Sequence, residues 1–143
     1  MADDISGPVG PVAYPILRQI REIFLTEEPL VDGATFDDPA NPTELVVELT
    51  TGLESPGRFE ITWWTSGAYR FHYSEQSGLD FRFDRHPKAD APTAHFHPPP
   101  DADAAEPSFL ADVTQPQVVT RAVLARWREV IVEEGDLDGL NPI

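Results

Sequence analysis

The alternating run that decides the fold spans residues 69–84 and reads YRFHYSEQSGLDFRFD. Aromatic and polar side chains alternate on both sides of Ser77 and Gly78, which is the pattern of two β-strands joined by a tight turn. Because successive side chains of a strand point to opposite faces, the aromatic residues share one face and the polar residues share the other. The run therefore predicts an antiparallel strand pair with one buried face and one polar face.

The pairing of these two strands follows from matching their buried faces. The buried face then holds two aromatic pairs, Phe71 with Phe83 and Tyr73 with Phe81. The polar face holds two further pairs, His72 with Arg82 and Arg70 with Asp84. Opposite charges on neighbouring strands attract each other, so the second of these pairs favours the same register.

Patterns in the rest of the chain extend this pair into an α+β fold. Alternating runs predict four strands, over residues 45–49, 59–64, 69–73 and 79–83, with at most a short edge strand at 35–36. Apolar residues at helical spacing predict a helix over about 14–26 and a closing helix after Thr114, which has capping-box spacing with Gln117. We therefore expect a four- to five-stranded antiparallel meander with one face covered by an N-terminal and a C-terminal helix.

Length and composition indicate one soluble domain. The chain has 143 residues, which is a common single-domain size. We expect a loose segment over residues 1–12, the domain over 13–135 and a C-terminal tail over 136–143. The sequence contains no cysteine, no apolar run long enough to span a membrane and an acidic start unlike a signal peptide. These features favour a cytoplasmic protein without disulfides, thiolate metal sites or a membrane contact.

The net charge is extreme. Ten basic and 25 acidic side chains give a formal charge of −15. Such self-repulsion destabilises a compact protein at low ionic strength, whereas molar salt shortens the Debye length to about 3 Å and screens it. The composition is therefore typical of a protein from a halophile.

The charge is unevenly distributed, and this distribution locates the candidate site. Residues 58–100 carry five basic and five acidic side chains and all four histidines, while the remainder of the chain carries the whole net charge. Histidine suits proton transfer near neutral pH, and arginine offers a planar set of donors for phosphate. The candidate catalytic residues are Arg82, Asp84, His86, His95 and His97. The candidate substrate-binding residues are Arg70, His72, Arg85 and the stacking residue Trp64.

Three kinds of chemistry fit these residues. A metal-independent ribonuclease would use histidines as base and acid and an arginine to stabilise the phosphorane charge, and it needs no cofactor. A metal site would instead use His72, His95 and His97, or two histidines with Asp84. Alternatively, the histidines only end strands and bond to neighbouring groups in a non-enzymatic partner-binding module. In the ribonuclease interpretation we expect Asp84 to be exposed and to orient an imidazole or an arginine.

The order of these motifs resembles a known family. Arg82-Phe83-Asp84 stands at a strand end and is followed by His86-Pro87, by His95-Phe96-His97, by Pro107-Ser108 and by the closing helix. Over about residues 44–132 this order is similar to the TumE-like toxins of TumE/TumA toxin–antitoxin pairs. The resemblance implies a growth-inhibiting toxin of a type II pair that acts on RNA and is silenced by an antitoxin with a DNA-binding domain. An exposed edge strand could pair with that antitoxin or with a second copy of the chain in a homodimer.

Overall fold

The structure of the protein is a computed structural model that describes residues 10–86 and 94–143. Within these residues it has two α-helices and seven strands. The helices are α1 (Tyr14–Glu27) and α2 (Pro116–Trp127), and α2 continues through a π-helical turn, Arg128–Val132. The strands are β1 (Val31–Phe36), β2 (Leu45–Leu49), β3 (Gly57–Trp63), β4 (Tyr69–Glu75), β5 (Asp80–Arg85), β6 (Ala94–His97) and β7 (Glu106–Pro107). A 3-10 helix, Leu137–Leu140, follows near the C-terminus.

All seven described strands form one sheet in the order of the chain, and neighbouring strands are antiparallel. The α+β antiparallel meander is thus confirmed, but the expected four to five strands are too few. The missed strands, β6 and β7, lie at one side of the sheet, and β1 at the other side is longer than the edge strand expected at 35–36. Gly33 and a register shift interrupt β1, and β7 contains only two residues, so neither gives a clear alternating pattern.

The central register is the predicted one. On β4 and β5, Phe71 lies opposite Phe83, and His72 lies opposite Arg82. The aromatic face is completely buried along both strands, whereas the polar face is partly exposed at most positions. Matching of buried faces was therefore sufficient to predict which polar side chains are neighbours in this part of the sheet.

Both helices cover the aromatic face. The buried side of α1 includes Leu17 and Phe24, and the ring of Phe24 lies 5.6 Å from that of Phe59 on β3. The buried side of α2 includes Val123 and Trp127. The predicted capping box is wrong, since the N-cap is Gln115 and no side chain caps it. Pro116 begins this helix, and a proline at the first position has no N–H group to satisfy.

Two ion pairs join the C-terminal end of α1 to α2 and to the π-helical turn that continues it, although their residues lie far apart in the chain. Arg121 on α2 contacts Glu27 at the end of α1, with Nη2 and Oε2 2.7 Å apart. Arg128 contacts the next residue, Glu28, with Nη1 and Oε2 2.5 Å apart. The two pairs differ in exposure, because the Glu28 side chain is 1% exposed and that of Glu27 is 42% exposed.

The ends of the described chain also pack on the sheet and helices. Val12 forms a β-bridge with Trp64, so residues just before α1 extend the pairing beyond β3. Residues 1–9 of the expected loose segment lie outside the described residues. In the stretch expected to be a tail, Leu140 is completely buried, and Asn141 accepts a hydrogen bond from the Phe109 amide at 2.8 Å.

Candidate functional site

We call the sheet face opposite the helices the polar face. Two rows of polar side chains on it concern the candidate site. In each row the residues are cross-strand partners on β3, β4, β5 and β6. The first row contains Glu60, His72, Arg82 and His97. The second row contains Thr62, Arg70, Asp84 and His95. The meander topology places all eight side chains on one surface because every strand in it alternates in the same phase.

Asp84 is the centre of a compact cluster of charged and titratable side chains. Its Oδ2 accepts a hydrogen bond from Arg82 Nε at 2.8 Å and lies 3.4 Å from His97 Nε2. Its Oδ1 lies 3.5 Å from His86 Nε2. One carboxylate therefore contacts a guanidinium group and two imidazoles, and we call these four residues the Asp84 cluster.

Arg82 links the members of the Asp84 cluster. While its Nε bonds to Asp84, its Nη2 lies 3.3 Å from Nε2 and 3.5 Å from Nδ1 of His97. The guanidinium group thus lies against the imidazole ring of His97. The Arg82 side chain is 25% exposed and that of His97 is 13% exposed, so both reach the surface while the carboxylate between them does not.

Asp84 is buried, which corrects the expectation that it is exposed. Its side chain is 0% exposed. Burial opposes ionisation of this carboxyl group, but the adjacent His97 imidazole and the charges of His86 and Arg82 outweigh it and hold the pKa of Asp84 below its usual value. Asp84 is therefore an ionised carboxylate that orients its neighbours from beneath the surface.

His72 has a second carboxylate environment on the same face. Its Nε2 lies 2.7 Å from Asp80 Oδ1, and its Nδ1 lies 3.7 Å from Glu60 Oε1. Asp80 was not among the predicted site residues, although it follows the same alternation on β5 as Arg82 and Asp84. That alternation was the signal that could have identified it.

The remaining candidates on the polar face are His95 and Arg70, which lie on either side of Asp84 in the second row. His95 is partly exposed. Arg70 is also partly exposed, but its Nε is buried and has no hydrogen-bond partner among the described residues. Arg70 therefore places a cation beside the Asp84 cluster without being paired to it.

Arg85 and Trp64 lie apart from this cluster. Arg85 follows the alternation of Phe81 and Phe83, and its Nη1 donates to the carbonyl oxygen of Ala111 at 3.0 Å. Trp64 stands just beyond β3 and is partly exposed beside Val12. Neither side chain contacts the Asp84 carboxylate, so the structure does not bring them together with the other candidates.

Comparison with known proteins identifies the family. A family model described as Toxin TumE matches residues 20–131, which include β1 to β7, the whole polar face and all of α2. The chain belongs to this family. No curated protein and no solved structure matches the chain. The family match confirms the resemblance seen in the sequence and supports a toxin of a toxin–antitoxin system, with an antitoxin as its partner.

The alternative metal set is spread over the sheet of this TumE-family chain. His95 and His97 lie on β6, and His72 lies two strands away on β4, which corresponds to about 10 Å between backbones. Among residues 10–86 and 94–143, no three histidine or carboxylate side chains are grouped so that they could hold a metal ion. Pro87, which belongs to the expected histidine-rich connection, lies outside the described residues.

The helices of this family member give no sign of a membrane segment. In the two stretches of chain that the structure describes, none of them combines the length and the apolar character that crossing a bilayer requires.

Proposed function

We propose that this toxin acts on RNA and cleaves it without a metal, through proton transfer by His97 beside the phosphate-binding group Arg82. The observation that carries the proposal is the Asp84 cluster, in which a buried carboxylate fixes an imidazole and a guanidinium side by side at the surface. A ribonuclease of this kind needs a base for the ribose 2′-hydroxyl and a cation for the charge that develops on phosphorus. In this proposal His97 is the base and Arg82 supplies the cation.

Asp84 acts in this proposal as a positioning residue. Its carboxylate accepts a hydrogen bond from Arg82, and this bond holds the guanidinium group in one orientation. The same oxygen lies beside His97 Nε2, which favours the tautomer with a proton on that nitrogen and leaves Nδ1 as the proton acceptor. The buried imidazole of His86 lies beside Oδ1, the other oxygen of the Asp84 carboxylate, and helps to hold the carboxylate in place.

Arg70 and His95 extend the proposed site along the second row. Arg70 is one strand from Asp84, and no carboxylate is paired with it among the described residues. It could therefore bind a neighbouring phosphate of the RNA. His95 lies on the opposite side of Asp84 and would contact the ribose or base of the same substrate.

The net charge of −15 favours a protein that works at high salt. Under that condition its binding of RNA has to rely on short-range contacts. Long-range attraction of RNA through counter-ion release falls steeply with salt. Hydrogen bonds from arginine and stacking on an aromatic ring depend less on ionic strength, and Trp64 would be such a ring at the end of β3. We place this activity in the cytoplasm of a halophile, where an antitoxin binds the toxin until it is released.

The test is cleavage of single-stranded RNA at one fixed high salt concentration, with and without chelator. Wild-type protein is expected to cleave in both conditions, and His97→Gln is expected to lose about 10²–10⁴-fold in rate, as removal of a general base does. Arg58→Gln is the matched control, because Arg58 is an arginine on the same face that pairs with Glu48 away from the cluster. Intact RNA with wild-type protein, or full activity in His97→Gln, would overturn the proposal.

A further inference from the structure

Strand β5 carries a nearly symmetrical arrangement around Arg82. Asp80 and Asp84 lie two residues before and two residues after Arg82, on the same face. His72 on β4 and His97 on β6 are the two cross-strand partners of Arg82. Each imidazole contacts one of the two carboxylates, with 2.7 Å from His72 Nε2 to Asp80 and 3.4 Å from His97 Nε2 to Asp84. Arg82 is therefore flanked by two histidine–carboxylate pairs.

We infer that His72 is the second proton-transfer group of the site and that a phosphodiester is held over Arg82 between His72 and His97. The inference rests on the proposed ribonuclease function and specifies the substrate-binding geometry of the same site. Asp80 is a positioning residue that acts through His72, in the way that Asp84 acts through His97. This assignment changes the expected role of His72 from substrate binding to catalysis.

The geometry favours His72 over His95 as the partner of His97. In an in-line displacement at phosphorus, the attacking and leaving oxygens lie on opposite sides, so the base and the acid must do so as well. His72 and His97 lie on opposite sides of Arg82, with about 10 Å between their strands. His95 lies on the same strand as His97 and on the same side of Arg82. A phosphate bound by Arg82 thus has an imidazole on each side if the pair is His72 and His97, and not if the pair is His95 and His97.

The charged neighbours of the two imidazoles differ. His72 contacts two carboxylates, Asp80 and Glu60, whereas His97 contacts one, Asp84, and also lies against the guanidinium of Arg82. We keep His97 as the base, as in the proposed function, and assign His72, on the other side of Arg82, as the acid.

The proton and bond changes balance in this assignment. His97 accepts the proton of the ribose 2′-hydroxyl, and the 2′-oxygen forms a bond to phosphorus. The bond between phosphorus and the 5′-oxygen breaks, and His72 gives its proton to that leaving oxygen. The products are a 2′,3′-cyclic phosphate and a 5′-hydroxyl, and exchange of protons with water restores both histidines. Arg82 stabilises the charge on the non-bridging oxygens.

Other titratable groups surround His72 and bear on its pH dependence. Glu60 on β3 and Asp80 on β5 contact it directly, and Arg82 is its cross-strand partner. Glu44, just before β2, is close enough to interact with its charge, and Asp101 forms a β-bridge with Asp80. A pH profile therefore has to be compared between matched variants and not interpreted from wild type alone.

The first experiment tests the binding geometry without requiring cleavage. Inorganic phosphate is titrated into the full chain at fixed potassium chloride concentration, and the imidazole signals, assigned from single His→Gln variants, are followed by NMR. The signals of both His72 and His97 are expected to move with the same apparent affinity, and Arg82→Gln is expected to abolish both shifts. Movement of the His97 signal alone would overturn the inference, even if RNA is cleaved.

The second experiment tests proton transfer in the variants that cleave RNA. The pH profile of kcat/KM is expected to be bell-shaped in wild type, to lose one limb in His72→Gln and the opposite limb in His97→Gln. Asp80→Asn is expected to move the His72 limb, which loss of a purely structural contact would not do. His95→Gln is expected to keep both limbs. A bell retained in His72→Gln overturns the inference and leaves the ribonuclease proposal standing. Phosphate bound by both histidines without any RNA cleavage overturns the ribonuclease proposal, and with it proton transfer by His72, and leaves only the phosphate-binding geometry.

Discussion

Arg82 and Asp84 lie two residues apart on β5, and Arg82 Nε donates to the buried Oδ2 of Asp84 over 2.8 Å. In an extended strand, residues at this spacing point to the same face, so a bond between them holds the arginine along the strand direction. The guanidinium is thereby kept against the imidazole of His97, the cross-strand neighbour of Arg82 on β6. This bond connects the fold of the sheet to the proposed chemistry on its polar face.

Replacing Asp84 tests that connection. An exposed aspartate would cost less than about 1 kcal/mol on replacement. Because the Asp84 side chain is completely buried, we expect Asp84→Asn to lower the free energy of unfolding by about 1–3 kcal/mol and to abolish RNA cleavage. Denaturant unfolding at neutral pH and fixed salt measures the first effect.

Glu48→Gln provides the control for this measurement. Glu48 lies on the same sheet face and pairs with Arg58 at 2.9 Å, but its side chain is half exposed. We expect a stability change below about 0.5 kcal/mol, as is usual for an exposed ion pair. Equal losses in the two variants would contradict a special role for the buried carboxylate.

Acid should destabilise the protein because it protonates two aspartates, Asp37 and Asp84, whose ionised forms favour the folded state. Hydrogen bonds from Thr43 and Glu44 outweigh desolvation at Asp37 and lower its pKa from 3.8 to about 2, and the pKa of Asp84 is lowered as well. A lowered folded-state pKa means that the ionised group favours the folded state above the unfolded pKa, and this contribution is lost as pH falls from about 4 towards 2.

Unfolding free energies at pH 6, 4, 3 and 2 measure this loss for wild type and for Asp37→Asn. The series is run in high salt, so that changes in overall charge repulsion are screened. The variant is expected to lose less stability across the interval, since one of the responsible groups no longer titrates. Parallel curves for the two proteins would show that Asp37 does not contribute.

Salt should stabilise the folded state. The formal charge of −15 produces repulsion that is screened at molar salt and is stronger at about 0.1 M. We expect the melting temperature to rise with potassium chloride over this range. A melting temperature that is flat, or that rises on dilution, would contradict the proposal of a halophilic protein.

The two ion pairs between the helices should differ in importance. Arg128→Met leaves the buried Glu28 carboxylate without its cation, and we expect a loss of about 1–3 kcal/mol after allowing for the exposure of the arginine. Arg121→Met breaks the exposed pair with Glu27 and should change stability little. Chemical denaturation of both variants makes the comparison, and a larger loss in Arg121→Met would reverse this ranking.

The central strands could be predicted from sequence because aromatic and polar side chains alternate there without interruption. This pattern gave the partners of Phe71 and His72 correctly. It could not give β7, because a two-residue strand that contains a proline has no period. Nor could it give the start of α2, where Pro116 and not a side-chain cap begins the helix.

The candidate site was only partly predictable for a related reason. Alternation assigns a side chain to a face but does not report its depth, so Asp84 was expected at the surface and is buried. Alternation also placed Asp80 on the polar face, yet its contact with His72 depends on side-chain conformation that the sequence does not contain. Arg85 is a different case, because alternation assigns it to the face of Phe81 and Phe83, and its side chain does point away from Asp84.

The chemical ends of the cleaved RNA provide the most direct test of the central claim. RNA is incubated with wild-type protein at fixed molar salt in the presence of chelator, and the termini of the fragments are determined. Attack by the 2′-oxygen predicts 2′,3′-cyclic phosphate and 5′-hydroxyl ends, and fragments are expected to form about 10²–10⁴-fold more slowly with His97→Gln. Fragments with 3′-hydroxyl and 5′-phosphate ends, or cleavage by His97→Gln at the wild-type rate, would contradict proton transfer by His97 beside Arg82.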